Sequence, residues 1–248
     1  DVAELQLQAF ADAARADATQ TYEDMASNVA LDFNFGDAEK VDAALKSAAH
    51  VTKVELVNSR VIVNAMEPRS AIGAFDAATG RFTLRTESQG VMGMRAQVAD
   101  LLATTPDKVH VLTTNVGGSF GMKGGLYPEV PVVAWASKRV GRPVKWTCER
   151  SEGHLADDQG RDMVLDLELG LDKEGRFEGI RLTSNNNIGA YMTMIGFTST
   201  NGITHAGVGV YKTPAVQGRA AAVMTNTVPV SNYRAPGGAP GTYALERI

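Results

Sequence analysis

Residues 115–129 read Asn-Val-Gly-Gly-Ser-Phe-Gly-Met-Lys-Gly-Gly-Leu-Tyr-Pro-Glu and carry the strongest chemical signal in the chain. Gly117, Gly118, Gly121 and Gly124 leave the backbone bare while Phe120 adds one large ring. That pattern suits a main chain that approaches a ligand closely, with an aromatic closing the pocket. Successive N–H groups in such a loop can point at an oxyanion. Known glycine fingerprints do not fit. A dinucleotide-binding G-x-G-x-x-G needs separated glycines, whereas Gly117 and Gly118 are adjacent; a P-loop needs Ser or Thr after its lysine, and Gly124 follows Lys123. Spacing alone leaves two readings open, a ligand wall or a glycine-rich turn with Phe120 in the core. Gln89, in Thr86-Glu87-Ser88-Gln89-Gly90, has an amide that both donates and accepts, and it is placed to reach over a pocket. His50, His110, His154 and His205 are far apart and form no ligand spacing. Glu149, Glu152, Asp157 and Asp158 offer carboxylates for acid/base work, but a charge run of this kind reads first as a solvated loop.

The elements that must hold these residues follow from pattern. Residues 109–114 are apolar and read as a strand, and residues 128–140 as a buried helix ended by Gly141-Arg142-Pro143, so the glycine loop joins strand to helix. Gln89 sits between a strand near 82–86 and a helix over 91–102 with Val91, Met94, Val98 and Leu101 on one face. Upstream, Asp37 is a plausible N-cap for a helix over 38–49, and β-branched alternation from His50 predicts strands near 51–57, 61–63 and 72–76. A short strand is expected at 144–147, an antiparallel pair at 163–171 and 177–183 around a turn at 172–175, and a strand at 217–226. Residues 1–35 read as a linker with a leading helix, and 36–248 as the folded part, long enough for one large domain or two small lobes. Strands and helices mix without strict alternation, which predicts an α+β fold of mixed sheets with packed helices.

Composition narrows the function. A 248-residue chain with 44% hydrophobic and 21% charged residues can bury a sizeable core. A net charge of −4 with scattered Lys and Arg argues against nucleic acid and anionic membrane as partners. No apolar run approaches the ~20 residues of a membrane span, and the first residues lack a signal-peptide core, so a cytoplasmic location is expected. Asp1 as first residue points to a processed chain or a piece of a longer one. Cys148 is the only cysteine, so the chain alone can hold neither a disulfide nor an iron–sulfur cluster.

Five segments taken together resemble the large subunit of the molybdenum hydroxylases, the family of xanthine dehydrogenase, aldehyde oxidase and aerobic carbon monoxide dehydrogenase. They are Met66-Glu67-Pro68-Arg69, Ser88-Gln89-Gly90, Val116 through Lys123, Gly141-Arg142-Pro143-Val144-Lys145, and Tyr233-Arg234-Ala235-Pro236-Gly237-Gly238-Ala239-Pro240. The resemblance implies the first lobe of a molybdenum-cofactor-binding domain, with Gln89, Phe120 and Arg234 at the reacting centre. It implies that Gln89, Gly117, Gly118, Ser119, Phe120, Gly121 and Arg234 bind the cofactor. The metal would take no protein ligand, being held by the pterin dithiolene, and the cofactor would be the cytosine dinucleotide form of molybdopterin. An anionic cofactor of this kind calls for N–H donors and a guanidinium. The implied reaction hydroxylates an aldehyde or N-heterocycle with oxygen from water. Iron–sulfur and FAD groups are implied on partner subunits, and the general-base glutamate on the remainder of the large subunit beyond Ile248. Ala235 stands where the copper-using carbon monoxide dehydrogenases carry cysteine, and Gly124 where purine oxidases carry glutamate; the arginine that those oxidases carry before the tyrosine matched by Tyr211 would fall near Asn201-Gly202. Neither CO nor purine is therefore the implied substrate. A non-catalytic scaffold or split-subunit binding module with the same fold is the competing expectation.

Overall fold

The computed structural model describes residues 12–15, 17–193, 195–205 and 208–248, and the fold is α+β. The expected leading helix lies largely outside the described residues. The chain divides into two compact units, one built from residues 1–61 and 158–248 and the other from 62–157.

The first unit is built on a five-stranded sheet in the order β1-β9-β8-β7-β2. Its strands are β1 (Val29–Gly36), β2 (His50–Asn58), β7 (Met163–Leu171), β8 (Phe177–Gly189) and β9 (Ala215–Met224). All neighbours are antiparallel except β8 and β9, which run parallel. Helix α1 (Ala38–Ser47) starts at Asp37, whose carboxylate accepts the Lys40 N–H at 3.0 Å as an N-cap should. It packs on β7, β8 and β9. Helices α5 (Thr198–His205) and α6 (Gly238–Arg247) pack together, with α5 on β8 and β9. The core of this unit joins Leu56 of β2, Leu165, Leu167 and Leu169 of β7, and Ile180 and Leu182 of β8 to Ile203 and Leu245.

The second unit has a four-stranded sheet in the order β5-β4-β3-β6, comprising β3 (Ser70–Asp76), β4 (Arg81–Thr86), β5 (Val109–Leu112) and β6 (Val144–Thr147). Only β4 and β5 run parallel. Helices α2 (Val91–Leu101) and α3 (Glu129–Val140) cover it, and Leu84, Val98, Val109, Val111, Val133 and Ala134 form the core. The β3–α3 approach is so close that a Cβ on Gly73 would lie 2.6 Å from the Val133 carbonyl carbon. Gly141, at φ 68°, ends α3 in the left-handed conformation.

Several elements differ from the sequence expectations. Strand β1 lies in the segment read as linker, and the signal for it is the alternation of Leu31, Phe33 and Phe35 with Asp32 and Asn34. Residues 61–63 form no strand; Val61 makes a single bridge to Gly160. Strand β8 continues to Gly189, because β7 and β9 pair with it through Asn185 and Asn186. The proline-rich segment after Tyr233 becomes helical from Gly238. Pro240 falls in the first turn of α6, where a missing N–H costs no helical bond. No helix among the described residues is long and apolar enough to cross a membrane.

Candidate cofactor site

The parallel pair β4 and β5 sets the site, because both strands deliver their C-terminal ends side by side. Each is followed by a loop and a helix, an arrangement that opens a crevice at strand ends. Residues 87–90 lead from β4 into α2. Residues 113–121 lead from β5 to a 3-10 turn at Met122–Gly124 and then to α3. The strand ends are tied by Thr113 Oγ1, which donates to the Thr86 carbonyl at 2.5 Å.

Gln89 is joined to the glycine loop twice. Its N–H donates to the Lys123 carbonyl at 3.1 Å, and its Oε1 accepts from Ser119 Oγ at 2.5 Å. Ser119 Oγ in turn accepts the Lys123 N–H at 3.1 Å. With Oε1 committed, the exposed end of Gln89 is the Nε2 donor, which has no acceptor among the described residues.

The loop holds three left-handed residues, with φ of 104° at Gly118, 54° at Phe120 and 109° at Gly121, and Ser119 interrupts them. Phe120 is the non-glycine member, a conformation that a bulky side chain adopts only where surrounding contacts hold it. Its ring folds back so that a Cβ on Gly118 would sit 3.0 Å from Phe120 Cε2, and the residue remains 44% exposed. Phe120 is therefore a surface ring on a glycine bed, not a core residue. The amides of Gly118, Ser119, Phe120 and Gly121 have no acceptor among the described residues. Four successive free donors on such a backbone suit an anion. The Gly117 N–H, by contrast, is already used, donating to Glu67 Oε2 at 2.7 Å.

A charge cluster in which Lys123 is buried and Glu67 partly exposed fixes the loop from beneath. Lys123 is 2% exposed, and its Nζ donates to the Glu67 carbonyl at 2.9 Å and to Glu67 Oε2 at 3.1 Å, with Glu87 Oε1 at 3.9 Å. The Glu67 N–H returns a bond to the Gly117 carbonyl at 3.1 Å. The Gly117 N–H and then the Lys123 ammonium hold the Glu67 carboxyl below the usual glutamate range. A Cβ on Gly117 would lie 2.6 Å from Glu67 Cβ, so only glycine lets this carboxylate reach the loop. Sequence reasoning gave Glu67, Glu87 and Lys123 no role, although Glu67 and Lys123 stand in two of the segments that carry the resemblance.

The carboxylates read as a solvated run divide in two, with Glu149 exposed and Asp157 and Asp158 withdrawn from water. Glu149 and Glu152 form the capping box of α4 (Arg150–Ala156). Asp157 and Asp158 are buried, and Asp157 accepts from Arg69 Nε at 2.6 Å. Arg69 also forks onto Glu129 at 2.8 and 3.3 Å, with its guanidinium 3.8 Å from the Tyr127 ring centroid. Local sequence could not reveal these partners, which lie 60 and 88 residues away.

Gln89, Gly117, Gly118, Ser119, Phe120 and Gly121 are thus brought together in the second unit. Arg234 belongs to the first unit, exposed, in the loop between β9 and α6. Among the described residues no group of His, Cys, Asp and Glu is arranged to hold a metal ion.

Residues 21–248 match the model of the molybdopterin cofactor-binding domain. The chain is 36% identical over 208 residues to the 6-hydroxypseudooxynicotine dehydrogenase complex subunit gamma of Paenarthrobacter nicotinovorans, covering 84% of this chain and 26% of that one. It is 29% identical over 220 residues to the nicotine 6-hydroxylase large subunit of the same organism, covering 87% and 26%. It therefore spans about a quarter of the length of these curated relatives. Among solved structures, quinoline 2-oxidoreductase from Pseudomonas putida 86 superposes with a TM-score of 0.85 at 27% identity, over 94% of this chain and 31% of that one. With the family model matched from residue 21 to residue 248, the chain belongs to the molybdopterin cofactor-binding domain family.

Proposed function

We propose that the chain is part of a molybdenum-dependent hydroxylase that oxidises an N-heterocyclic or aldehyde substrate with oxygen from water. Residues 36–248 would form the first half of its cofactor cradle. The observation that carries this reading is the row of four free amides at Gly118 to Gly121 beside the free amide end of Gln89. An anionic oxo–dithiolene group is a ligand that such donors fit. The bound molybdenum, held by the pterin dithiolene, supplies the two-electron oxidation of the substrate.

The chain's own residues bind and orient. Gly118, Ser119, Phe120 and Gly121 donate main-chain N–H groups, and Ser119 Oγ holds Gln89 so that Nε2 faces the ligand. Gly117, its N–H taken by Glu67, gives the loop its close approach. The exposed Phe120 ring flanks the substrate and excludes water, and Arg234 adds positive charge. Two relatives are named for nicotine chemistry and the structural neighbour for quinoline, which favours an N-heterocycle over an aldehyde. The cofactor form is taken as the cytosine dinucleotide. The remainder of the large subunit supplies the general-base glutamate, iron–sulfur and FAD subunits remove electrons, and the assembly is cytoplasmic.

The test is made in the complete enzyme. Gln89→Ala is expected to lower kcat by about a hundredfold to a thousandfold, the range for losing one positioned donor, and Phe120→Ala is also expected to lower it, while Lys173→Ala on an exposed turn leaves it unchanged. Equal, small effects in all three would sink the site assignment. A matured complex without molybdenum would instead favour a scaffold.

A further inference from the structure

Arg161 and Asp162 are two successive non-glycine residues in the left-handed region, at φ 68° and 61°. Such backbone persists only where contacts over-determine it. Asp162 is pinned by Arg60 Nε at 2.7 Å and by Asn187 Nδ2 at 2.9 Å, while its carbonyl accepts the Asn187 N–H at 3.0 Å. Arg60 also reaches Gln159 Oε1 at 3.1 Å and the Val228 carbonyl at 2.9 Å. The pinned backbone aims the Arg161 side chain at the loop that carries Arg234. Nη1 donates to the Tyr233 carbonyl at 2.8 Å and to the Ala235 carbonyl at 3.4 Å, and Nη2 donates to the Arg234 carbonyl at 2.8 Å. The guanidinium carbon lies 4.9 Å from the Tyr233 ring centroid.

The same loop is held from two further directions. A Cβ on Gly160 would meet Tyr233 Cβ at 2.4 Å, so the chain before Arg161 must be bare for Tyr233 to seat. Gly202 of α5 meets this loop backbone to backbone: a Cβ on Gly237, at φ 71°, would lie 2.5 Å from the Gly202 carbonyl carbon, and a Cβ on Gly202 would lie 2.5 Å from the Pro236 carbonyl oxygen. One face of the loop is thus wedged against a helix, and the carbonyls of three consecutive residues are gathered by a single fork. A planar guanidinium can satisfy three carbonyls in this way, whereas an ammonium on a flexible stem cannot hold them in one geometry. Among the described residues Arg161 has no carboxylate partner, so its charge is spent on carbonyls alone.

We propose that Arg161 is a positioning residue for Arg234, acting by clamping the carbonyls of Tyr233, Arg234 and Ala235. The role rests on the reading of Arg234 as a residue of the cofactor site. Arg161 itself touches neither substrate nor cofactor in this scheme. It fixes the backbone from which the Arg234 guanidinium projects, and small displacements of such groups cost rate steeply.

The experiment uses the holoenzyme with Arg161→Gln, Arg161→Lys, Arg234→Lys and the Arg161→Gln/Arg234→Lys double variant. Hydrogen exchange followed by mass spectrometry is expected to quicken about tenfold in residues 233–240 of Arg161→Gln, the loss of charged hydrogen bonds to that segment, with β7 and β8 unchanged. In steady state kcat falls about tenfold with KM little altered, Arg161→Lys recovers part of it, and the double variant is no slower than Arg234→Lys alone. Unchanged exchange in the loop, or effects on kcat that multiply in the double variant, would overturn the proposal. Full activity in Arg234→Lys would remove the reading of Arg234 and the positioning role with it, while the exchange measurement still decides whether the clamp exists. If Arg161→Gln does not accumulate as folded protein, Arg161→Lys carries the same readouts.

Discussion

Removing the Arg69 guanidinium is expected to destabilise the second unit more than any surface change. Its side chain is 5% exposed and faces Asp157, itself 10% exposed, and Glu129 at 25%. Tyr127 and Trp146 flank the guanidinium at 3.8 and 5.2 Å. Burial alone would favour the neutral form, but the hydrogen bonds to Glu129 and Asp157 outweigh it and hold the guanidinium pKa above its ordinary value. Replacing one partner of a buried ion pair leaves the other charged and desolvated, at a cost of roughly 3–5 kcal/mol. Glu129 can turn to water and Asp157 much less, so Arg69→Met is placed at about 3 kcal/mol by the same reasoning. For a unit of about a hundred residues the urea slope is near 1 kcal/mol per molar, which puts the midpoint about 3 M lower. The assay is already present in the chain, since both tryptophans, Trp135 and Trp146, lie in the second unit and their fluorescence reports its unfolding. Arg69→Lys keeps the charge but loses the fork and most of the stacking, so about 1 M is expected. A shift below about 0.5 M in Arg69→Met would refute the reasoning, because it would mean that Asp157 finds water or another donor without cost.

Two further outcomes concern titrating groups. Burial pushes the Cys148 thiol up to about 11, with Arg69 opposing and Asp157 and Glu152 adding to the shift. At pH 8 only about one thiol in a thousand is then thiolate, and native protein should react with iodoacetamide at least a hundredfold more slowly than free cysteine; labelling at the free rate would contradict the buried thiol. Glu67 has a lowered folded pKa, so its stabilising contribution is present above the ordinary glutamate value near 4.3 and is lost as pH falls through the depressed one. Urea midpoints at pH 7 and pH 3 should therefore differ more in the parent protein than in Glu67→Gln, and parallel behaviour would remove Glu67 from the loop's electrostatics.

Elements with local signatures were legible in the sequence. Asp37 before α1, Gly141 after α3 and the turn between β7 and β8 each reflect a short-range rule, and each lies where that rule puts it. The α6 helix was obscured because Pro236, Gly237, Gly238 and Pro240 read as breakers, although a first helical turn tolerates them. The glycine loop and Gln89 were visible because bare backbone and a polar residue at a strand end are unusual locally. Their support was not visible. Lys123 meets Glu67 across 56 residues and Arg69 meets Asp157 across 88, and nothing in the neighbourhood of a lysine or an aspartate announces that it will be buried. Arg161 shows the same limit, since its fork closes on carbonyls 72 to 74 residues downstream.

The antiparallel pairing of β2 with β7 carries a consequence for synthesis on the ribosome. The nine-residue ladder runs from His50 opposite Leu171 to Asn58 opposite Met163, and the whole second unit is threaded between the two strands. At bacterial or eukaryotic elongation speeds β2 emerges roughly 5–20 s before β7 is complete, an interval in which the intervening unit can fold. Until then β2 has no partner on the side that β7 will fill. Its outer residues Lys53 and Glu55, charged and exposed, are the kind that discourage pairing with a neighbouring nascent chain. The pairing closes a loop of roughly a hundred residues, and the entropic cost of such a closure grows only slowly with its length.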